Sequence, residues 1–197
     1  VDAGDKLLVE RNLGKRRTGS RRTAAGEEDM VKALRAQAGG GNELVVLTDG
    51  AYFGLFCHRG GESMTESLFG PLTNLHPNIL AVKLDGATKE LFVWGLRCGF
   101  LTFGPGQSQG AEAVCEVLDA KVRGLIRAGV SNVPHLSQSL IQFALEAPEI
   151  DAERQAKADI PCARASRVYE TSHQLRFRAG WYVYPLPGGY SLLIVVM

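Results

Sequence analysis

The sequence predicts an α/β fold in which a mainly parallel sheet is flanked by helices. Three runs rich in apolar residues, at 43–48, 78–84 and 98–104, are candidate strands, and turn residues bound them. The first two runs are continuously apolar, which is typical of strands buried on both faces of a parallel sheet. Segments with helical spacing alternate with these strands, and this alternation favours a parallel sheet.

The first helix is predicted from Glu27 to Ala38, where apolar residues recur at helical spacing and "AGGGN" ends the pattern. Further helices are predicted over 62–73, 110–129 and 135–147, and "SNVP" separates the last two. A helical stretch over 149–170 is expected to be interrupted by Pro161, because proline lacks the backbone N–H that a helix needs. The segment "YPLPGGYSLLIVVM" then begins a new element, which we expect to be a strand of a small C-terminal subdomain.

Residues 1–23 form a basic lead-in that predicts loop or disorder. The stretch "ERNLGKRRTGSRRT" contains six basic residues and two glycines, with little apolar periodicity. A phosphate-binding or nucleic-acid-binding arm is one hypothesis. We favour a solvated tail, because no aromatic residue is interleaved for base stacking. The predicted division of the chain is therefore 1–23, then 24–160, then 161–197.

The overall composition is that of a soluble globular protein, with 45% hydrophobic and 22% charged residues. The net charge of +1 gives no global indication of nucleic acid or membrane binding. The four cysteines show neither CxxC pairing nor zinc-ligand spacing, and we interpret them as reduced thiols of a cytoplasmic protein without a metal site. The chain begins with Val and ends in a strand-like run, which suggests a fragment.

Four residues whose side chains could bind a ligand or take part in catalysis lie near strand ends, where open α/β sheets bind ligands. Asp49 follows the first strand in "TDGAYFG", Tyr52 comes three residues later, Lys89 follows the second strand, and Arg97 precedes the third. Each of these residues has an ordinary structural explanation when it is taken alone. An Asp-Gly pair is usually a turn, and a lysine beside a glutamate is usually a surface charge.

The combination resembles the class I/II aminotransferases, which are pyridoxal-phosphate enzymes of the aspartate-aminotransferase-like fold, known as fold type I. The stretches "DGATKELFVWGLRCGFLTFG" and "VSNVPHLSQSL" carry the likeness, and "PLPGGYSLLIV" looks like the opening strand of that family's small domain. The resemblance covers residues 25–197, which is about half of a family member. It implies that residues 24–160 are part of the cofactor-binding large domain and that 161–197 are a linker helix and the first small-domain strand.

The resemblance also implies roles for the candidate residues. Lys89 would form the Schiff base with pyridoxal phosphate and act as the base that moves the substrate α-proton. Asp49 would pair with the pyridine nitrogen, Tyr52 would bond the ring hydroxyl, and Arg97 would hold the phosphate in its planar fork. Thr88 is a further candidate for binding the phosphate.

The activity that the resemblance implies is transfer of an amino group between an amino acid and a 2-oxo acid, by an enzyme that is a homodimer at full length. Ser131 and Asn132 match a family segment near the dimer interface and the cofactor, although a Ser-Asn stretch is also a common loop. Two alternatives stay open: a lyase or synthase reaction on the same fold, and a non-catalytic remnant that serves as an interaction module.

Overall fold

The computed structural model describes residues 6–10, 24–53, 67–106, 110–172, 180–183 and 194–196. These residues form one four-stranded sheet, six helices and a small two-stranded sheet. In chain order, the elements are β1 (Lys6–Glu10), α1 (Ala24–Gly39), β2 (Leu44–Asp49), α2 (Phe69–Thr73), β3 (Ile79–Gly86), α3 (Ala87–Glu90), β4 (Gly99–Gly104), α4 (Ala111–Gly129), α5 (His135–Leu145), α6 (Ile150–Ser172), β5 (Trp181–Val183) and β6 (Ile194–Val196).

The large sheet has the order β1-β2-β3-β4. The pairs β1–β2 and β2–β3 are parallel, and β3–β4 is antiparallel. The last pair can be antiparallel because the chain between β3 and β4 starts and ends at the same edge of the sheet and needs no crossover. The carboxyl ends of β2 and β3 and the amino end of β4 therefore meet at one edge.

The main hydrophobic core lies on one face of this sheet. Alternate residues of β2 and β3 point into it, and α1 and α2 cover them. The buried members of this core are Leu34, Ala38, Leu44, Val46, Leu68, Leu72, Leu75, Ile79 and Ala81. The apolar runs at 43–48 and 78–84 are confirmed as strands, and the prediction of an α/β fold with a mainly parallel sheet is confirmed with them.

A second, smaller core joins α3 to α5. Ala87 and Leu91 are buried against Ile141 of α5, with Val93, Leu96, Cys98 and Ile150 packed around them. This cluster holds the short helix α3 at the edge of the sheet where β3 ends.

Two predictions of irregular structure are wrong. Lys6–Glu10 lies in the lead-in predicted as loop or disorder, yet it forms β1, because its backbone pairs in parallel with Leu44–Thr48 of β2. Helix α6 runs without a break through Pro161. The proline deprives the Lys157 carbonyl of its helical donor, and the helix tolerates this loss because that residue is exposed to water.

The other predicted helices agree with the structure where it describes them. The predicted helix over 62–73 is observed as α2 in its final part, while residues 62–66 lie outside the described residues. The predicted domain boundary at 160 falls inside α6, and the domain division stays a prediction. No helix in the described ranges combines the length and the apolar character that a membrane span requires.

The cysteines differ in oxidation state. Cys98 and Cys115 are free thiols, as predicted. The prediction is wrong for Cys162, which is disulfide-bonded. Cys57 lies outside the described residues. Spacing along the chain cannot reveal a bond whose requirement is proximity in space.

We expect Leu72→Ala to destabilise the fold strongly. Leu72 is 0% exposed in the main core, so its truncation removes buried apolar surface and leaves a cavity, at a cost of about 2–5 kcal/mol in the free energy of unfolding. Urea unfolding followed by circular dichroism measures this loss. The matched control is Leu125→Ala on α4, because Leu125 is 71% exposed. A similar loss for both variants would contradict the assignment of the core.

Candidate active site

The turn after β2 carries two of the predicted site residues. Asp49 ends β2, and its Oδ1 accepts a hydrogen bond of 3.0 Å from the Ala51 N–H. The Phe53 N–H donates to the Gly50 carbonyl at 2.8 Å. A side-chain oxygen that bonds the backbone two residues later is a typical turn-forming contact of aspartate. The turn places Tyr52 at the same edge of the sheet as Asp49.

Lys89 lies on α3, immediately after β3. Two hydrogen bonds fix this short helix: the Ala87 N–H donates to the Cys98 carbonyl at 3.2 Å, and the Leu91 N–H donates to the Ala87 carbonyl at 3.0 Å. Ala87 and Leu91 are buried, whereas Lys89 between them is half-buried. The helix is therefore anchored through its apolar residues, and the lysine side chain is left half-buried at its surface.

The side chains of Lys89 and Tyr52 are in contact. The Nζ of Lys89 lies 5.8 Å from the centroid of the Tyr52 ring, within the range of a cation–π contact. The parallel pairing of β2 with β3 produces this contact, since Asp49 is in register with Leu84 and both strands end at the same edge. Tyr52 and Lys89 thus come together as the sequence pattern requires of a shared site.

The Asp49 carboxylate lies at the same edge and is half-buried. Within the described ranges, its Oδ2 has no hydrogen-bond partner, and no ion pair joins Asp49 to Lys89. One carboxylate oxygen is thus used by the turn, while the other remains available as an acceptor for a ligand.

Arg97 is placed near this edge by the backbone. Gly99 of β4 pairs with Gly86 of β3, which brings the residues just before β4 next to the start of α3. The Arg97 side chain is exposed and lines an open cavity of about 640 Å³ between β4 and α5, together with Phe100, Ser137 and Gln142. Among the described residues, no hydrogen bond or ion pair links Arg97 to Asp49, Tyr52 or Lys89.

The neighbouring Thr88 is half-buried on α3. Its hydroxyl forms no hydrogen bond with any residue that the structure describes. Ser131 follows α4 and accepts a hydrogen bond from the Arg127 guanidinium, so it belongs to the connection between α4 and α5. Its place at a dimer interface stays a prediction.

Two residues of the loop between α3 and β4 have backbone angles that glycine usually adopts. Phe92 has φ 57° and Arg97 has φ 51°. Residues other than glycine in this region carry strain, and such strain is common at functional sites. A sequence pattern contains no direct signal for this conformation at an arginine or a phenylalanine.

Two ion pairs around the site were not predicted from the sequence. Arg154 of α6 contacts Glu90, the neighbour of Lys89, through Nη2 and Oε1 at 2.8 Å. Lys83 and Asp85 of β3 form the second pair, at 2.8 Å. The alternation of side chains along β3 places Lys83 and Asp85 on one face, so the second pair had a signal in the sequence. The first pair joins distant segments and had none.

Within the part of the chain that the structure describes, no three His, Cys, Asp or Glu side chains are grouped so that they could hold a metal ion.

Solved structures that resemble this chain are aminotransferases. An aminotransferase from Anaerococcus prevotii has a TM-score of 0.74 at 20% identity, covering 95% of this chain and 44% of that chain. Alanine aminotransferase from Pyrococcus furiosus has a TM-score of 0.66 at 17% identity, covering 98% and 42%. The aromatic-amino-acid aminotransferase from Burkholderia pseudomallei, covalently bound to pyridoxal phosphate, has a TM-score of 0.58 at 20% identity, covering 83% and 37%.

No protein-family model and no curated protein matches the chain. The likeness to solved structures confirms the predicted fold: the chain has the architecture of part of a fold-type-I aminotransferase. It spans less than half the length of these structures.

We expect Arg97→Gly to be more stable than Arg97→Ala. Both variants lack the guanidinium group, but only glycine adopts the φ of 51° without steric strain. The difference in the free energy of unfolding should be up to about 1 kcal/mol. Parallel urea titrations of the two variants measure it. Equal stabilities would contradict a strained backbone at position 97.

Proposed function

We propose that this chain is part of a pyridoxal-phosphate-dependent aminotransferase and that Lys89 holds the cofactor. The observation that carries the proposal is the contact between Lys89 Nζ and the Tyr52 ring at the sheet edge where Asp49 ends β2. This contact joins two residues of the predicted motif that lie far apart in the sequence. It occurs in a fold shared with aminotransferases, one of which is covalently bound to pyridoxal phosphate.

The residues at this edge fit the chemical groups of that cofactor. The Lys89 amine suits the aldehyde, because an amine condenses with a carbonyl. The open Oδ2 of Asp49 suits a protonated ring nitrogen, which it can accept a hydrogen bond from. The hydroxyl of Tyr52 suits the ring oxygen. When bound, the cofactor supplies an electron-withdrawing ring that stabilises negative charge at the substrate α-carbon.

Each residue then has a defined task. Asp49 would accept a hydrogen bond from the ring nitrogen and keep the proton there. Lys89 would hold the cofactor through Nζ, and its amine, once released, would take the proton from the substrate α-carbon and carry it on Nζ. The burial of Ala87 and Leu91 orients Lys89, because it fixes α3 against α5.

Arg97 and Thr88 are the proposed phosphate ligands. A guanidinium binds phosphate through two parallel N–H donors, and a threonine hydroxyl adds a single donor. The support for Arg97 is its position: the pairing of Gly99 with Gly86 holds its backbone beside α3. Thr88 is supported by its place next to Lys89 and by its hydroxyl, which has no partner among the described residues.

The proposed substrates are an amino acid and a 2-oxo acid, and the proposed full-length enzyme is a homodimer. The similar structures include an alanine aminotransferase and an aromatic-amino-acid aminotransferase. The fold is thus compatible with side chains of different size, and the amino acid that this protein uses is set by residues outside the shared scaffold.

The proposal is tested by mixing the purified chain with pyridoxal phosphate and recording the absorption spectrum before and after borohydride reduction. We expect a visible band that reduction removes, and a covalent adduct that peptide mass spectrometry locates on Lys89. Lys89→Ala should lose both the band and the adduct. The control is Lys121→Ala, which removes an exposed lysine of α4 and should leave both unchanged.

Two outcomes would count against the proposal. Adducts spread over several surface lysines would indicate nonspecific reaction of the aldehyde. Absence of the band in a chain that is folded by circular dichroism would favour a non-catalytic module with aminotransferase ancestry.

A further inference from the structure

We propose that Lys83 and Asp85 form a positioning pair that supports the turn 49–53 from the core face of the sheet, which is the face opposite the Asp49 carboxylate. This inference rests on the proposed function in one respect: the turn carries two of the proposed cofactor ligands. The support of the turn itself is a separate structural claim, and it can be tested without any ligand.

The pair is close and half-buried. The Nζ of Lys83 lies 2.8 Å from Oδ2 of Asp85, and the two side chains are 24% and 16% exposed. An exposed pair of this kind contributes little to stability, and a covered pair loses hydration that its attraction only partly restores. The ion pair is therefore expected to contribute little to the free energy of unfolding, and global stability does not explain why two half-buried charges lie at the end of this strand.

The geometry of β3 shows which face the pair occupies. Side chains two residues apart on a strand point to the same face, so Lys83 and Asp85 continue the row of the buried residues Ile79 and Ala81. Asp49 is in register with Leu84, so its side chain points to the opposite face. Asp85 therefore approaches the turn from the core side, whereas Asp49 faces the proposed site.

Asp85 contacts Gly50, the second residue of the turn. A Cβ atom added at Gly50 would overlap Oδ1 of Asp85, so this carboxylate lies directly against the glycine backbone. The Gly50 N–H also donates to the Leu84 carbonyl at 2.6 Å. Only glycine permits such a close approach without displacing the carboxylate. The two carboxylate oxygens thus have separate contacts: Oδ1 lies against Gly50 and Oδ2 binds Lys83.

Lys83 contacts the last residue of the turn. Its Nζ lies 6.0 Å from the centroid of the Phe53 ring. One member of the pair therefore lies against Gly50 near the start of the turn, and the other lies at cation–π distance from Phe53 at its end. The ion pair connects the two contacts. Asp49 and Tyr52 lie on the segment held in this way, so the pair fixes the orientation of both without touching the ligand.

The experiment compares Lys83→Met and Asp85→Asn with the wild type by amide hydrogen exchange and by pyridoxal phosphate titration. The amides of residues 50–53 should exchange about tenfold faster in both variants, because the turn loses its support, while the amide of Val46 in the core strand stays protected. Pyridoxal phosphate should bind about tenfold more weakly, which is the lower end of the effect that supporting residues have on ligand affinity at metal sites.

Matched variants separate positioning from general stability. Lys157→Met removes an exposed lysine that pairs with Glu153 on α6, and it should change neither measurement. Lys83→Arg keeps the charge and should restore slow exchange in the turn. Asp85→Asn is nearly isosteric with the wild type, so it keeps the test valid if Lys83→Met does not fold.

Unchanged exchange at residues 50–53 in a folded Asp85→Asn variant would overturn the inference. An equal increase at residues 50–53 and at Val46 would overturn it too, since the pair would then stabilise the whole fold. A wild-type chain that does not bind pyridoxal phosphate would refute the proposed function, and the exchange data would still decide the role of the pair.

Discussion

The candidate site depends on the parallel pairing of β2 with β3. This pairing puts the carboxyl ends of both strands at one edge, with Asp49 in register with Leu84. The turn after β2 and the short helix after β3 therefore leave the sheet side by side, and Tyr52 meets Lys89. A slip of one residue would turn Asp49 to the core face and bury its charge. The alternation of buried and half-buried residues along β2 therefore also keeps the Asp49 side chain on the face of the proposed site.

The packing around this edge separates rigid supports from accessible groups. Ala87 and Leu91 anchor α3 in the small core, and Glu90 ties the same helix to Arg154 of α6. Lys89 lies between these anchors, and its side chain is half-buried. Among the described residues, hydrogen bonds join Ala51 to Asp49 and Phe53 to Gly50 within the turn, and Asp85 and Lys83 contact it from the core side. Such preorganisation is what a site needs if its reactive groups must keep one geometry.

Local patterns in the sequence predicted most of the scaffold. The apolar runs became β2 and β3, and the periodic segments became α1, α4 and α5, because burial of alternate or helically spaced residues decides these elements locally. The lead-in and the proline were predicted wrongly for opposite reasons. Lys6–Glu10 is a strand because β2 offers it a pairing edge, and Pro161 stays within α6 because the surrounding helix is exposed and continuous.

The sequence by itself determined most of the element types, the order of the candidate residues along the chain and the resemblance to aminotransferases, since these depend on residue identity and spacing. Only the tertiary structure decided that Lys89 contacts Tyr52, that Arg97 lines a cavity beside α5, and that Lys83 and Asp85 lie next to the turn. Each of these facts is a distance between segments remote in the chain. Such distances are set by strand register and by the packing of α3, which are collective properties that no local pattern encodes.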